Sequence, residues 1–454
     1  MPLSAEILAA RAAAGLSRLT GRGGGTTVPG KLLWKLDPGA IDLLAARLPR
    51  GAALISATNG KTTTAGMAAG TLGQRFRLAH NGSGANLVSG VASTLLAARE
   101  AEFGLFEVDE GALAEVAARV RPRVVCLGNL FRDQLDRYGE LELIAERWRA
   151  AVAGLGSGAA LVVNGDDPQL GELARAHPGA TVFGVDDIRH ARPSLQHAAD
   201  SKYCVSCGTP YEYAAAYVGH LGDYRCPACG NARPPLDVVA RDVQLGGLEH
   251  AAFDLVTPEG TRRVRLRVPG LYNVYNALAA ASLARAVSAP LDEIAKGLER
   301  FGAAFGRFER IEVGDRRVLM LLIKNPAGAN EAVRTLVDGG APRLVLIALN
   351  DAIADGKDVS WIWDVDFEPL LEGLERVVVT GDRAAELALR CKYGGFPEEQ
   401  IEVVPPLERA LDRGLELTPP GGELVLLPTY TAMLALRKIV AGRGHVRPYW
   451  ERAA

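Results

Sequence analysis

The chain has 454 residues, 48% of them hydrophobic and 23% charged, and its 51 Lys and Arg nearly balance 53 Asp and Glu for a formal net charge of −2. That length exceeds what one hydrophobic core usually serves and predicts two or three soluble domains, while the mixed charge, with no basic block, argues against nucleic acid as a partner. No apolar run reaches the roughly 18 residues of a membrane span, and no compact apolar segment with a cleavage site opens the chain, so the expected location is the cytoplasm.

In chain order, Ala5–Leu19 reads as an amphipathic helix carrying Arg11 and Arg18, either packed on the first domain or peripheral at a membrane surface; the short biased loop Gly21–Thr27 follows. Short apolar runs at Ala53–Ser56, Phe103–Val108, Val124–Leu127 and Ala160–Val163 then alternate with helical stretches, which predicts a doubly wound α/β sheet. Between Asp186 and Asp237 the pattern breaks into a segment rich in histidine, tyrosine and cysteine, read as an inserted module. Alternation resumes over Asp242–Val268, followed by helices at Asn276–Val287 and Leu291–Leu298 and a hinge over Phe301–Glu312. Val318–Ile323, Leu344–Leu349, Arg376–Thr380 and Leu424–Leu427 read as strands of a further α/β sheet.

Two motifs carry chemistry by themselves. In Ile55–Thr64 a strand runs into Ala57–Thr58–Asn59–Gly60–Lys61–Thr62–Thr63 and then a helix, a turn whose backbone N–H groups and helix terminus face an anion. Thr58, Asn59, Gly60 and Thr63 would cradle the phosphates of a nucleotide, Lys61 would neutralise the outer ones, and the Thr62 hydroxyl would hold Mg²⁺. Ile55 stands where the usual GxxxxGK[ST] spacing has its first glycine, and a glycine turn that merely caps a helix is the plainer alternative. The second motif is Cys204, Cys207, Cys226 and Cys229, two CxxC pairs separated by 18 residues, the spacing of a four-thiolate ribbon. Four thiolates close a tetrahedral shell, so a Zn²⁺ ion there is structural; a redox dithiol is the alternative.

The loop, together with His80–Asn86, Phe106–Glu110, Gly128–Gly139, Pro269–Leu278 and Phe305–Glu309, resembles the ordered motifs of the Mur ligase family. The resemblance implies a central P-loop ATP-binding domain over residues 46–305, into which the four-cysteine zinc ribbon, absent from classical members of the family, is inserted at about 198–235. An N-terminal segment, 1–45, would pack on it, and a C-terminal α/β domain would span 306–454. It also implies Glu107 as a magnesium ligand, with Glu110 and Asp133 as nearby carboxylates, Asn276 at the purine edge and Arg307 reaching the nucleotide from the linker. As an alternative, asparagine before an alanine-rich run makes a good helix N-cap. Gln134, Tyr272 and Lys324 each replace a histidine of the family pattern, and Leu321 an aspartate, which leaves the number of magnesium ions open.

The ribbon and the stretch Asn350–Asp364, NDAIADGKDVSWIWD, are similar to the MurT branch of that family. That similarity implies ATP-dependent amidation of the D-glutamate in the stem peptide of lipid II, during peptidoglycan biosynthesis, within a heterodimer whose GatD-like glutaminase supplies ammonia. Asp358, with Asp355 as second choice, would complete the partner's Cys–His pair. Consistent with a separate glutaminase, neither Cys126 nor Cys391 has a nucleophile turn or a nearby histidine. An amino-acid ligase acting on a UDP-linked precursor and a non-catalytic nucleotide-binding scaffold are the alternatives.

Overall fold

The computed structural model describes residues 28–82, 84–133, 140–196, 199–302 and 307–446, without the side chain of Arg307. The expected helix Ala5–Leu19, Gln134 and the Arg307 side chain lie outside the described residues.

Eleven strands come first: β1 Ala52–Ser56, β2 Leu78–His80, β3 Phe103–Glu107, β4 Val124–Leu127, β5 Ala160–Asn164, β6 Thr181–Val185, β7 Glu212–Val218, β8 Leu221–Arg225, β9 Val238–Gly246, β10 His250–Thr257 and β11 Gly260–Leu266. All but the β7–β8 hairpin join one nine-stranded sheet ordered β11-β10-β9-β6-β5-β4-β1-β3-β2. The strands from β9 across to β2 run parallel, whereas β9, β10 and β11 form an antiparallel meander. The central strands are apolar except at their C-terminal ends, where Ser56, Glu107 and Asn164 stand, because both faces of the sheet are covered. Ala53, Ile55, Val124 and Cys126 enter one core, and their neighbours Ala52, Leu54, Val125 and Leu127 enter the other. The period-2 pleat thus sends successive residues of one strand into opposite layers.

A second sheet is built from β12 Arg307–Val313, β13 Arg316–Leu321, β14 Leu344–Ala348, β15 Arg376–Thr380, β16 Ile401–Val403 and β17 Glu423–Pro428, ordered β12-β13-β17-β14-β15-β16. It divides its side chains in the same way: Leu319, Val345 and Val377 on one face, Val318, Leu346 and Val378 on the other.

Three expectations need correction. The stretch read as a hinge over Phe301–Glu312 is, from Arg307 onward, strand β12 paired antiparallel with β13. It is locked there by the buried pair Glu309–Arg437, whose closest atoms lie 3.2 Å apart. The helix expected to start at Asn276 starts at Leu271, behind Gly270 at φ 87°, and runs to Ala286. Asn276 is therefore a buried residue inside the helix and not its N-cap. Alanine richness revealed only the helix's later turns, because the first carry Tyr272, Asn273 and Tyr275, which face the site. Finally, the inserted segment is only partly a module of its own: Ala215, Tyr217, Val218 and Leu221 of its hairpin belong to the main core, while Cys204, Tyr211, Tyr224 and Cys226 form a separate small cluster.

Candidate active site

The loop after β1 closes on itself through polar contacts. Gly60 has φ 88°, left-handed backbone that glycine adopts without strain, and a Cβ added there would lie 2.0 Å from Asn276 Oδ1. The helix Lys61–Leu72 begins immediately, so its first amides face the mouth of the turn. Asn129, just after β4, holds the loop from the side: its Oδ1 accepts from Asn59 N at 2.9 Å and its Nδ2 donates to Asn59 O at 3.0 Å. The Thr58 hydroxyl donates to Phe131 O at 3.1 Å and accepts from Phe131 N at 3.0 Å. Thr62 is half-buried and Thr63 buried on the first turn of the helix.

Lys61 folds back beneath the loop, donating to Ala57 O at 2.5 Å and to Glu110 Oε2 at 2.6 Å. Burial pushes the Glu110 carboxyl up, but the ammoniums of Lys61 and Lys324 outweigh it and hold the group below its ordinary range. Glu107, at the end of β3, is fixed by its backbone: Asn81 Oδ1 accepts from Glu107 N at 2.8 Å while Asn81 Nδ2 donates to Glu107 O at 2.8 Å. Its side chain is buried, and among the described residues Oε2 has no hydrogen-bond partner. A buried carboxylate oxygen left without a donor is costly, and a hard cation is a natural partner for it. The Glu107 carboxylate therefore fits a magnesium ligand.

The second sheet meets the loop here. Asn59 and Asn325 exchange amide hydrogen bonds of 3.2 and 3.0 Å, and Lys324 forms an ion pair with Asp133. Burial raises the Asp133 carboxyl against the pull of Lys324, and its Oδ1 also lacks a partner among the described residues. Between the two sheets an open cleft is lined by the polar Asn59, Gly60 and Thr63 and by the apolar Val268, Phe301, Phe308, Leu321 and Ala332. Asn276 lines it too, its Oδ1 accepting from Thr64 Oγ1 at 3.3 Å and its Nδ2 donating to Asn273 Oδ1 at 3.1 Å. Tyr272 and Leu321, two of the departures from the family pattern, both face this cleft.

In the ribbon, the four sulfur atoms lie within 4.8 Å of one another. The two knuckles match: Gly208 N donates to Cys204 O at 2.8 Å and Gly230 N to Cys226 O at 3.0 Å, with φ 75° and 76° at the two glycines. Four convergent thiols on paired turns suit a tetrahedral metal ion. Cys126 and Cys391 are different: burial pushes each thiol up to about 12, which leaves almost no thiolate for nucleophilic work.

Asp355 and Asp358 have opposite surroundings. Asp355 is buried, and its Oδ1 accepts from Thr431 N at 2.8 Å and its Oδ2 from the Thr431 hydroxyl at 2.5 Å. Asp358 is exposed, bonded through Oδ1 to Ser360 N at 2.8 Å, and hydrogen bonding from Ser360 holds its carboxyl below the ordinary range. In the same stretch Trp363 is 47% exposed, and its ring centroid lies 6.1 Å from that of Tyr393, which is 73% exposed.

Sequence reading missed the buried polar network beneath the cleft. Asp166 accepts from the Tyr275 hydroxyl at 2.6 Å, from Val185 N at 2.9 Å and from Arg233 at 3.2 Å, and burial raises its carboxyl to about 6. His220, at the hairpin turn, is fully buried against Phe131 with its Nε2 3.5 Å from Asp167 Oδ2. These residues are scattered along the chain and form no local motif.

The middle of the chain, residues 55–222, matches the family model for the Mur ligase middle domain, and residues 322–433 match that for the MurT ligase C-terminal region. The lipid II isoglutaminyl synthase (glutamine-hydrolyzing) subunit MurT of Streptococcus pneumoniae is 33% identical over 438 residues, covering 95% of each chain. Among solved structures, a pseudomurein peptide ligase type C from Methanothermus fervidus superposes with a TM-score of 0.69 at 20% identity, covering 88% of this chain and 80% of that one. The MurF ligase of Thermotoga maritima, solved in complex with ADP, gives 0.63 at 15% identity, with 89% and 85% covered. The relative from Streptococcus is named as one subunit of a synthase, and no helix among the described residues is long and apolar enough to cross a membrane. With its loop, its four-cysteine ribbon and its near full-length relative, the chain belongs to the MurT family of Mur ligases.

Proposed function

We propose that this chain is the synthetase subunit that amidates the D-glutamate α-carboxylate of the lipid II stem peptide to D-isoglutamine. ATP phosphorylates the carboxylate; ammonia then attacks the acyl phosphate carbon, and inorganic phosphate leaves. The observation that carries this reading is the placement of the Gly60 turn, with the Lys61 ammonium beneath it, beside the unpartnered buried oxygen of Glu107. Backbone amides of Thr58–Thr63 receive the phosphates, and Lys61 gives up its bond to Ala57 O to offset charge on the transferring group. Asn276 supplies nucleotide contacts in the cleft, and the family resemblance adds Arg307, the first residue of β12, whose side chain lies outside the described residues. Thr62 and Glu107 would hold Mg²⁺, which supplies charge neutralisation for phosphoryl transfer.

Ammonia comes from a GatD-like glutaminase subunit, because the two lone cysteines are buried and protonated. The docking face includes exposed Asp358, Trp363 and Tyr393, and Asp358 orients the partner's catalytic histidine. Asp355 is already occupied by Thr431, which favours Asp358 of the two. Zinc in the four-cysteine ribbon is structural, and the protein works at the cytoplasmic face of the membrane where its lipid-linked substrate lies. The deciding experiment supplies the purified heterodimer with ATP, glutamine and lipid II, and follows phosphate release together with the mass of the lipid product. Phosphate release without amidated lipid, or none at all, would overturn the reading.

A further inference from the structure

A second cation lines the cleft from the side of the second sheet: Lys324, which follows β13. Lys324 follows Ile323, whose N–H donates to Pro428 O at 3.0 Å, and precedes Asn325, whose Oδ1 caps Gly328 N at 2.9 Å and whose amide pairs with Asn59. Both neighbours are therefore pinned, and one of them touches the residue before Gly60. This leaves the Lys324 stem as the movable part. It lines the same cleft as Asn59, Gly60 and Thr63, and its ammonium pairs with Asp133. Glu110, the partner of Lys61, also lies within the field of Lys324. The two lysines, one from each sheet, thus share one small set of carboxylates facing the phosphate turn.

We propose that Lys324 is a catalytic residue that exchanges Asp133 for the γ-phosphoryl oxygens of bound ATP, so that the phosphoryl group is held between ammoniums contributed by both sheets. The inference rests on the reading of the turn as an ATP site and adds the residue that senses the third phosphate. A lysine suits the task because its flexible stem reaches either partner and its three N–H donors impose no fixed geometry. The exchange makes the contact depend on the third phosphate, since ADP lacks the γ-phosphoryl oxygens that replace Asp133.

The test measures binding of ADP and of the non-hydrolysable β,γ-imido analogue of ATP, each with Mg²⁺, to the full chain by calorimetry. Lys324→Met is expected to weaken the imido analogue on the order of tenfold to a hundredfold while leaving ADP within about twofold, as loss of a charge-assisted hydrogen bond to one phosphate requires. The double variant Lys324→Met/Asp133→Asn, which leaves no carboxylate buried without its cation, is expected to keep that selective loss. Equal weakening of both nucleotides in both variants, or weakening of neither, would overturn the proposal. Failure of the unaltered protein to bind either nucleotide would instead overturn the ATP site itself.

Discussion

The phosphate turn and the segment Asn350–Asp364 both follow parallel strands, yet they are built oppositely. In the turn, Thr58, Asn59 and Lys61 are each held by named partners from the segment after β4 or from Glu110, and a buried oxygen on Glu107 is left over among the described residues. In the segment, Asp355 is held as tightly by Thr431, but Asp358, Trp363 and the neighbouring Tyr393 are left to solvent. A site that completes its own chemistry fixes its groups in advance, because reorganisation during the reaction costs rate. A surface that serves a partner leaves its groups exposed until the partner arrives.

Breaking the comparison at Asp358 should give the largest effect. Asp358→Asn is expected to lower glutamine-driven amidation by about 10⁴-fold, the scale seen when the orienting carboxylate of a catalytic triad is neutralised, while amidation driven by added ammonium salt stays intact. A parallel loss with ammonia would place Asp358 in this chain's own chemistry. Lys61→Met should reduce phosphate release by roughly 10³-fold with either nitrogen source. It also strands Glu110, and breaking such a buried pair costs on the order of 3–5 kcal/mol. Lys61→Met/Glu110→Gln should therefore recover the melting temperature and not the activity; recovery of both would reduce the lysine to a structural part.

Beneath the cleft, Asp166 supplies a pH test. Its folded-state carboxyl is raised to about 6 by burial, so its contribution to stability is fully present below the ordinary carboxylate range and is lost as pH rises through about 6. Denaturant unfolding should show the protein losing roughly 3 kcal/mol between about pH 4 and 6 relative to Asp166→Asn. Identical pH slopes would mean that Arg233 and Tyr275 compensate the charge fully. The smallest change is expected from Asp355→Asn, about 1–3 kcal/mol of stability from its weakened bonds to Thr431, with the ratio of glutamine-driven to ammonia-driven amidation unchanged. A shift in that ratio would exchange the roles given to the two aspartates.

What the sequence determined by itself was whatever is local or periodic. Gly60 stands between a strand and the helix that Lys61 opens, the CxxC pairs repeat at ribbon spacing, and strands such as Ala53–Ser56 are apolar almost without interruption, so each can be read within a window of a few residues. Tertiary structure decided the pairings across distance. Lys61 with Glu110, Asn59 with Asn325, Lys324 with Asp133 and Tyr275 with Asp166 join positions separated by 49 to 266 residues. It also decided which of Asp355 and Asp358 is buried, though both stand in one acidic stretch, and that Asn276 lies inside a helix and not at its start. The physical reason is that burial and hydrogen-bond satisfaction belong to the space around a side chain, and that space is enclosed by strands and helices brought together only when the two sheets have folded.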